Sequence, residues 1–221
     1  SMGTDIYAGY IGEEYLSELT GNRRAKIYDR MRRSDAQIKM LLSAVKNPIK
    51  AATWEVEPAD ETPEAVADAE LIRHILFDDM DRPLRKVIGE CLTFIEFGHC
   101  FLEKTFRLVV GDPKFGVYHG IAGLDWISPK TIERFNVDPA NGKLVSITQM
   151  ADGDLKRYVD IPALFCMRFG LDVEGANYEG ISWLRPIYGN YVRKNVYLKL
   201  NAIGIEKHAI PTPIIKVDQG N

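Results

Sequence analysis

Between residues 98 and 153 turn signals recur at short intervals, and no other feature constrains the fold as much. Gly98, Gly111-Asp-Pro-Lys-Phe-Gly116, Asp138-Pro-Ala-Asn-Gly142 and Asp152-Gly153 all combine residues that favour turns. The stretches around them predict strands over 99–110, 117–127, 131–137, 143–150, 155–159 and 163–169. Strands joined this tightly must be antiparallel, because a parallel pair needs a crossover of roughly a dozen residues or more. An antiparallel meander therefore fills the middle of the chain.

Helical patterns flank it. Ile27, Met31, Ile38, Leu41, Leu42 and Val45 predict one helix over 24–47, with Asn47-Pro48 as its stop. Alternation in Ala52-Thr-Trp-Glu-Val-Glu-Pro58 predicts a strand. Thr62-Pro63 predicts an N-cap with proline at the first helical position, opening a helix to about Phe77. A further helix is expected from about Pro83 to Phe97, with Gly98 as its C-cap. Residues 4–22 read as an extended arm, 170–180 as a glycine-rich loop, and 213–217 as a strand. The order gives an α+β fold: helices packed on an antiparallel meander, followed by one long helix.

Composition narrows the function. The chain has 221 residues, of which 46% are hydrophobic and 27% charged, as in ordinary globular proteins. No apolar run approaches the roughly 20 residues that span a bilayer, and a membrane location is not expected. Ser1-Met2-Gly3 reads as a tag scar. Net charge is −3, which excludes a globally basic nucleic-acid binder. The charge is nonetheless segregated. Residues 23–50 hold nine Lys/Arg against Asp29 and Asp35, whereas residues 55–81 hold ten acids against Arg73. These blocks are expected to meet, within one copy or between neighbouring copies.

The sequence holds no phosphate loop, dinucleotide fingerprint, HExxH or GxSxG motif. His99 and Cys100 are strand neighbours whose side chains point to opposite faces, so they cannot pair. The three cysteines, Cys91, Cys100 and Cys166, form no CxxC and read as buried structural thiols. Asp78, Asp79 and Asp81 read as helix-terminal caps; a metal cluster there is the alternative. No enzyme, cofactor or metal is expected.

A helix is expected over 181–208, a rod of roughly 42 Å. Trp183, Ile187, Tyr191, Val196, Leu198, Leu200, Ile203 and Ile205 lie on several sides of it, broken up by Arg193, Lys194, Lys199 and Lys207. Apolar residues on more than one side call for partners on more than one side.

Several blocks, in order, resemble the portal proteins of Mu-like phages and prophages. They are Tyr28-Asp-Arg-Met-Arg-Arg-Ser-Asp-Ala-Gln37, Ala51-Ala-Thr-Trp-Glu-Val-Glu-Pro58, Phe97-Gly-His-Cys-Phe-Leu-Glu-Lys104, Pro129-Lys-Thr-Ile-Glu-Arg-Phe135 with Gln149, and Tyr178-Glu-Gly-Ile-Ser-Trp-Leu-Arg-Pro186 with Lys194 and Ala202-Ile-Gly-Ile-Glu-Lys207. Lys207 departs from the pattern, where arginine is expected, as does Asn47, where an apolar residue is expected.

The resemblance implies a structural head–tail connector: a ring, dodecameric when full length, at the capsid vertex through which DNA is packaged and ejected. Its implied partners are terminase, head–tail adaptor and capsid proteins, and duplex DNA passing non-specifically. Its implied location is the virion, assembled in the host bacterial cytoplasm. Under this reading residues 1–22 are an arm, 23–180 a wing-like domain, 181–208 a stem-like helix, and 209–221 the start of a clip strand in a truncated portal. Expected ring contacts are Arg32, Arg33, Trp183, Tyr191 and Tyr197; expected stem cations near the channel are Arg193, Lys194 and Lys199. A slightly acidic chain suits a channel that must not grip phosphates. The alternatives are a phage-encoded nucleic-acid-processing enzyme with a metal site at Asp79, or a virion assembly adaptor.

Overall fold

The computed structural model describes residues 6–7, 10–11, 14, 16–150, 157–173 and 177–209. The chain divides after Leu184 into two units. The first begins with the short antiparallel pair β1 (Ile6–Tyr7) and β2 (Tyr10–Ile11), within the stretch expected to be an extended arm.

The single helix expected over 24–47 is two helices, α1 (Asn22–Ser34) and α2 (Ala36–Ala51). Asp35 separates them. Its backbone is extended, its N–H closes α1 on the Met31 carbonyl, and its carboxylate accepts from the N–H groups of Gln37 and Ile38. An aspartate that caps the next helix offers the chain an alternative to continuing the first. Pro48 does not stop α2, which runs to Ala51. Proline so near a C-terminus disturbs only the last turn, and the N–H of Ala52 still reaches the carbonyls of Pro48 and Ile49. Met31, Ile38 and Leu42 enter the core, but Leu41 and Val45 are exposed.

Residues 52–58 form no strand: the alternation is there, but no strand pairs with it among the described residues. Thr62 caps α3 (Pro63–His74) through the Ala65 N–H, as its sequence predicts, and a π-turn (Ile75–Asp79) extends the helix. The next expected helix is interrupted at Leu92 and Thr93, giving α4 (Leu84–Cys91) and α5 (Phe94–Phe97). Gly98 ends α5 in the left-handed region, with φ 87°.

The expected meander is divided between two sheets. β3 (His99–Asp112) pairs with β4 (Gly116–Ile127) on one side and with β8 (Cys166–Gly170) on the other. β5 (Ile132–Val137), β6 (Leu144–Met150) and β7 (Tyr158–Pro162) form a second antiparallel sheet, inserted between β4 and β8 in sequence. A 3-10 turn at Ala163–Phe165 starts the return to β3. Alternation along β3 explains the core. Phe101 packs with Ile127, Ile132, Phe135, Ile147 and Ile161, whereas Cys100 and Leu102 face Val87 of α4 and Leu124.

The second unit contains α6 (Tyr188–Ala209), 22 residues and so roughly 33 Å. It starts seven residues later than expected, because residues 183–187 form turns that take up Pro186. The strand expected over 213–217 lies outside the described residues.

Candidate functional site: a charged junction and a basic cleft

The end of the first unit is pinned into the start of its core. Leu171 N–H donates to the Gly98 carbonyl, Ile181 N–H to that of Leu171, and Trp183 N–H to that of Ile95. Ser182 Oγ donates to the Glu96 carbonyl and accepts from Leu184 N–H. Asn177 caps the N–H groups of Glu179 and Gly180. Gly98 and Gly180 touch backbone to backbone. A Cβ on Gly98 would lie 2.7 Å from the Glu179 carbonyl oxygen, and one on Gly180 would overlap the Gly98 oxygen. Both glycines have positive φ, so glycine is required twice over.

Charged side chains reinforce this junction. Arg24 of α1 meets the buried Glu179 at 2.5 Å. Glu96 of α5, 3% exposed, takes Lys46 of α2 at 2.7 Å and Arg32 of α1 at 3.5 Å. Arg32 also lies over the Phe97 ring and binds Asp29, which accepts from Arg33 and Lys130 as well. Burial raises the Asp29 pKa, but the hydrogen bonds from Arg33, Arg32 and Lys130 outweigh it and hold the carboxyl well below the usual range.

His99 is sealed at the same place, with Nδ1 2.8 Å from the Glu179 carbonyl oxygen. Burial foremost, then the Arg24 charge, pushes its pKa down to about 3, against the pull of that hydrogen bond. An unfolded histidine titrates near its ordinary value of 6.5. As pH falls below that value the unfolded chain binds a proton that the folded chain refuses, so stability falls until about pH 3. Asp29 acts in a lower window: its stabilisation is lost only as pH drops below the ordinary 3.8. Urea unfolding between about pH 7 and about pH 5 is therefore expected to show a loss of up to about 1.4 kcal/mol per pH unit from His99. His99→Gln should flatten that slope; an unchanged slope in the variant contradicts the assignment.

Beside the junction, α1 and α2 frame a cleft of about 280 Å³ lined by Arg32, Arg33, Lys39, Lys46 and Lys50, with Leu42 and Glu96 among its other walls. Arg32 and Lys46 are committed to Glu96. Lys39 and Lys50 have no ion-pair partner among the described residues.

Nothing at the junction is arranged for bond-making chemistry. Burial pushes the thiols of Cys91 and Cys166 up to about 11 and that of Cys100 up to about 12, so they stay protonated at neutral pH. Asp79 and Asp81 are not caps, as expected from sequence; they hold Arg107 of β3, at 2.6 and 2.8 Å. Among the described residues no group of three or more His, Cys, Asp or Glu could hold a metal ion. No helix there is long and apolar enough to cross a membrane.

Comparison with known families supplies the decisive observation: the model for the portal protein of Mu bacteriophage matches residues 25–221. The chain belongs to the Mu portal family. Comparison with curated proteins found no match. Portal proteins are structural components of the virion.

The portal residues expected at interfaces fall in different settings. Arg32 is turned inward, its side chain 18% exposed, while Arg33 beside it is 68% exposed. Trp183 and Tyr197 are exposed at 44% and 70%, and Tyr191 is half-buried. At about 100° per residue, Arg193, Lys194 and Lys199 fall about 100° or more apart around α6, so they form no single stripe. The sequence reading predicted the β3–β4 hairpin but missed its exposed apolar face. Phe106, Leu108 and Val110 alternate on one face of β3 and are 52–71% exposed, with Val117 of β4 at 64%. Alternation marks that face as apolar, but only the fold shows that none of the described residues covers it. Within one copy, and among the described residues, the basic and acidic blocks pair elsewhere. The ion pairs of the basic block go to Asp29, Glu96 and Glu179, while Glu70, Asp79 and Asp81 of the acidic block pair with Lys114 and Arg107.

Proposed function

We propose that this chain is the subunit of a dodecameric portal ring at the capsid vertex, through which DNA is packaged and ejected. The family match over residues 25–221 carries the reading, and the exposed apolar surfaces support it. On α6, Val192, Val196, Leu200 and Ile203 make one face, and Leu198 and Ile205 another roughly 200° away. A helix apolar on two opposite sides suits a rod wedged between neighbours. The hairpin face of Phe106, Leu108 and Val110 and the α2 residues Met40, Leu41 and Val45 are further exposed apolar sites.

In this reading the first unit is the wing, α6 the stem helix, and the segment after it the start of the clip. Arg32 and Arg33, with Trp183, Tyr191 and Tyr197, contribute to contacts between copies. Terminase, the head–tail adaptor and capsid proteins are its partners. With Arg193, Lys194 and Lys199 spread around α6, duplex DNA passes with weak, sequence-blind contacts. Electron microscopy of the full-length gene product tests the proposal. Closed rings with a central hole are expected; monomers alone, or open filaments, overturn it.

A further inference from the structure

The basic cleft and the 52–64 segment have complementary needs that one copy does not satisfy. Five cations and one carboxylate line the cleft. Lys46 and Arg32 share a single oxygen of that carboxylate, Oε1 of Glu96. The cleft therefore carries a positive surplus, and Lys39 and Lys50 stand at it with no ion-pair partner among the described residues.

The 52–64 segment is the reverse. Residues 51–64 are exposed at every position but Val56, and the segment carries Glu55, Glu57, Asp60, Glu61 and Glu64. Asp60 is spent on the N–H and hydroxyl of Thr62. The four glutamates have no ion-pair partner among the described residues. Thr53-Trp54-Glu55-Val56-Glu57 alternates as a strand does, yet it pairs with no strand among the described residues, and Trp54 is 47% exposed. Although this segment follows directly on α2, none of its residues lines the cleft.

We propose that the α1–α2 cleft receives the acidic 52–64 segment of a second copy of this chain. Lys39, Lys50 and Arg33 would meet Glu55, Glu57, Glu61 and Glu64. Cleft and segment are different surfaces of one molecule, which suits a head-to-tail contact, and a rotation that closes makes a ring of it. The inference rests on the portal reading only for the expectation that copies meet; the complementarity itself is on the chain.

Zero-length carbodiimide cross-linking of the full chain tests it, using an equal mixture of isotope-labelled and unlabelled protein. A carbodiimide joins a carboxylate to an amine only when the two touch, and mixed-isotope peptides report links between copies. Mixed-isotope links from Lys39 or Lys50 to the 55–64 glutamates are expected. They should vanish in about 1 M salt, where the Debye length shrinks to about 3 Å. The Lys39→Glu/Lys50→Glu variant removes the reacting amines and serves as the background. Adding Glu55→Lys/Glu57→Lys to that variant should restore links between the exchanged positions. Links confined to one isotope, links that ignore salt or are not restored by the exchange, or no links at all overturn the proposal. Neither lysine holds an internal ion pair, so thermal unfolding of the first variant should match the parent and exclude misfolding. Rings in the microscope without these links would leave the portal reading standing and remove this one.

Discussion

Glu96→Ala is expected to destabilise the first unit by about 3–5 kcal/mol, the usual cost of leaving a buried charge without its partner. Glu96 is 3% exposed and, among the described residues, is the one carboxylate paired with Lys46, itself a buried residue. Arg32 would keep Asp29, but Lys46 would lose the one charge that makes its burial tolerable. A lower urea midpoint with an unchanged slope would report this loss of stability. The double variant Lys46→Met/Glu96→Leu separates pairing from packing. It removes both charges and keeps the volume, so it should recover much of what Glu96→Ala loses. If Glu96→Ala unfolds at the parent midpoint, the network contributes nothing to stability and its role at the junction is wrong.

The second large effect is steric. Gly180→Ala must hold alanine at φ 60° and place its Cβ onto the Gly98 carbonyl oxygen, with the Leu171 oxygen 2.5 Å away. The left-handed backbone costs about 1–2 kcal/mol and the overlap about 1–3 more, against a total stability of about 5–15 kcal/mol for a typical domain. Gly111→Ala provides the control. Its φ is 80°, but nothing lies within 4 Å of the added carbon, so it should lose only the conformational part. Equal midpoints for the two variants would show that the close approach of Gly98 and Gly180 does not matter.

The sequence revealed what is local. Gly98, Thr62-Pro63 and the Asp138–Gly142 turn announce themselves by residue type, and each is where it is expected. Failures came where one local signal competed with another. A hydrophobic period running through residue 35 suggests one helix, but the Asp35 carboxylate caps a second. Other failures needed information from far along the chain. That β8 returns to β3 across an inserted sheet, that Glu96 gathers cations from two helices, and that Arg107 holds Asp79 and Asp81 all depend on residues no window spans. Alternation at residues 52–58 correctly describes the residues, but a strand also needs a partner, and none is found among the described residues. The family itself was legible in the ordered blocks, because they draw on the whole length.

The closing of the junction also sets an order in time. His99 waits for a carbonyl 80 residues later, and Glu96 for a hydroxyl 86 residues later. Such long closures are slow, since loop entropy is lost before any contact repays it. A ribosome releasing this chain exposes α1, α2 and the β3–β4 hairpin well before residues 177–184 arrive to bury Arg24, His99 and the backbone of Gly98. Until then the nascent chain carries an open seam beside several exposed apolar faces, the state in which chains aggregate. Translation through Leu184 thus completes the seam: only then are Arg24, His99 and the Gly98 backbone covered by the 177–184 segment.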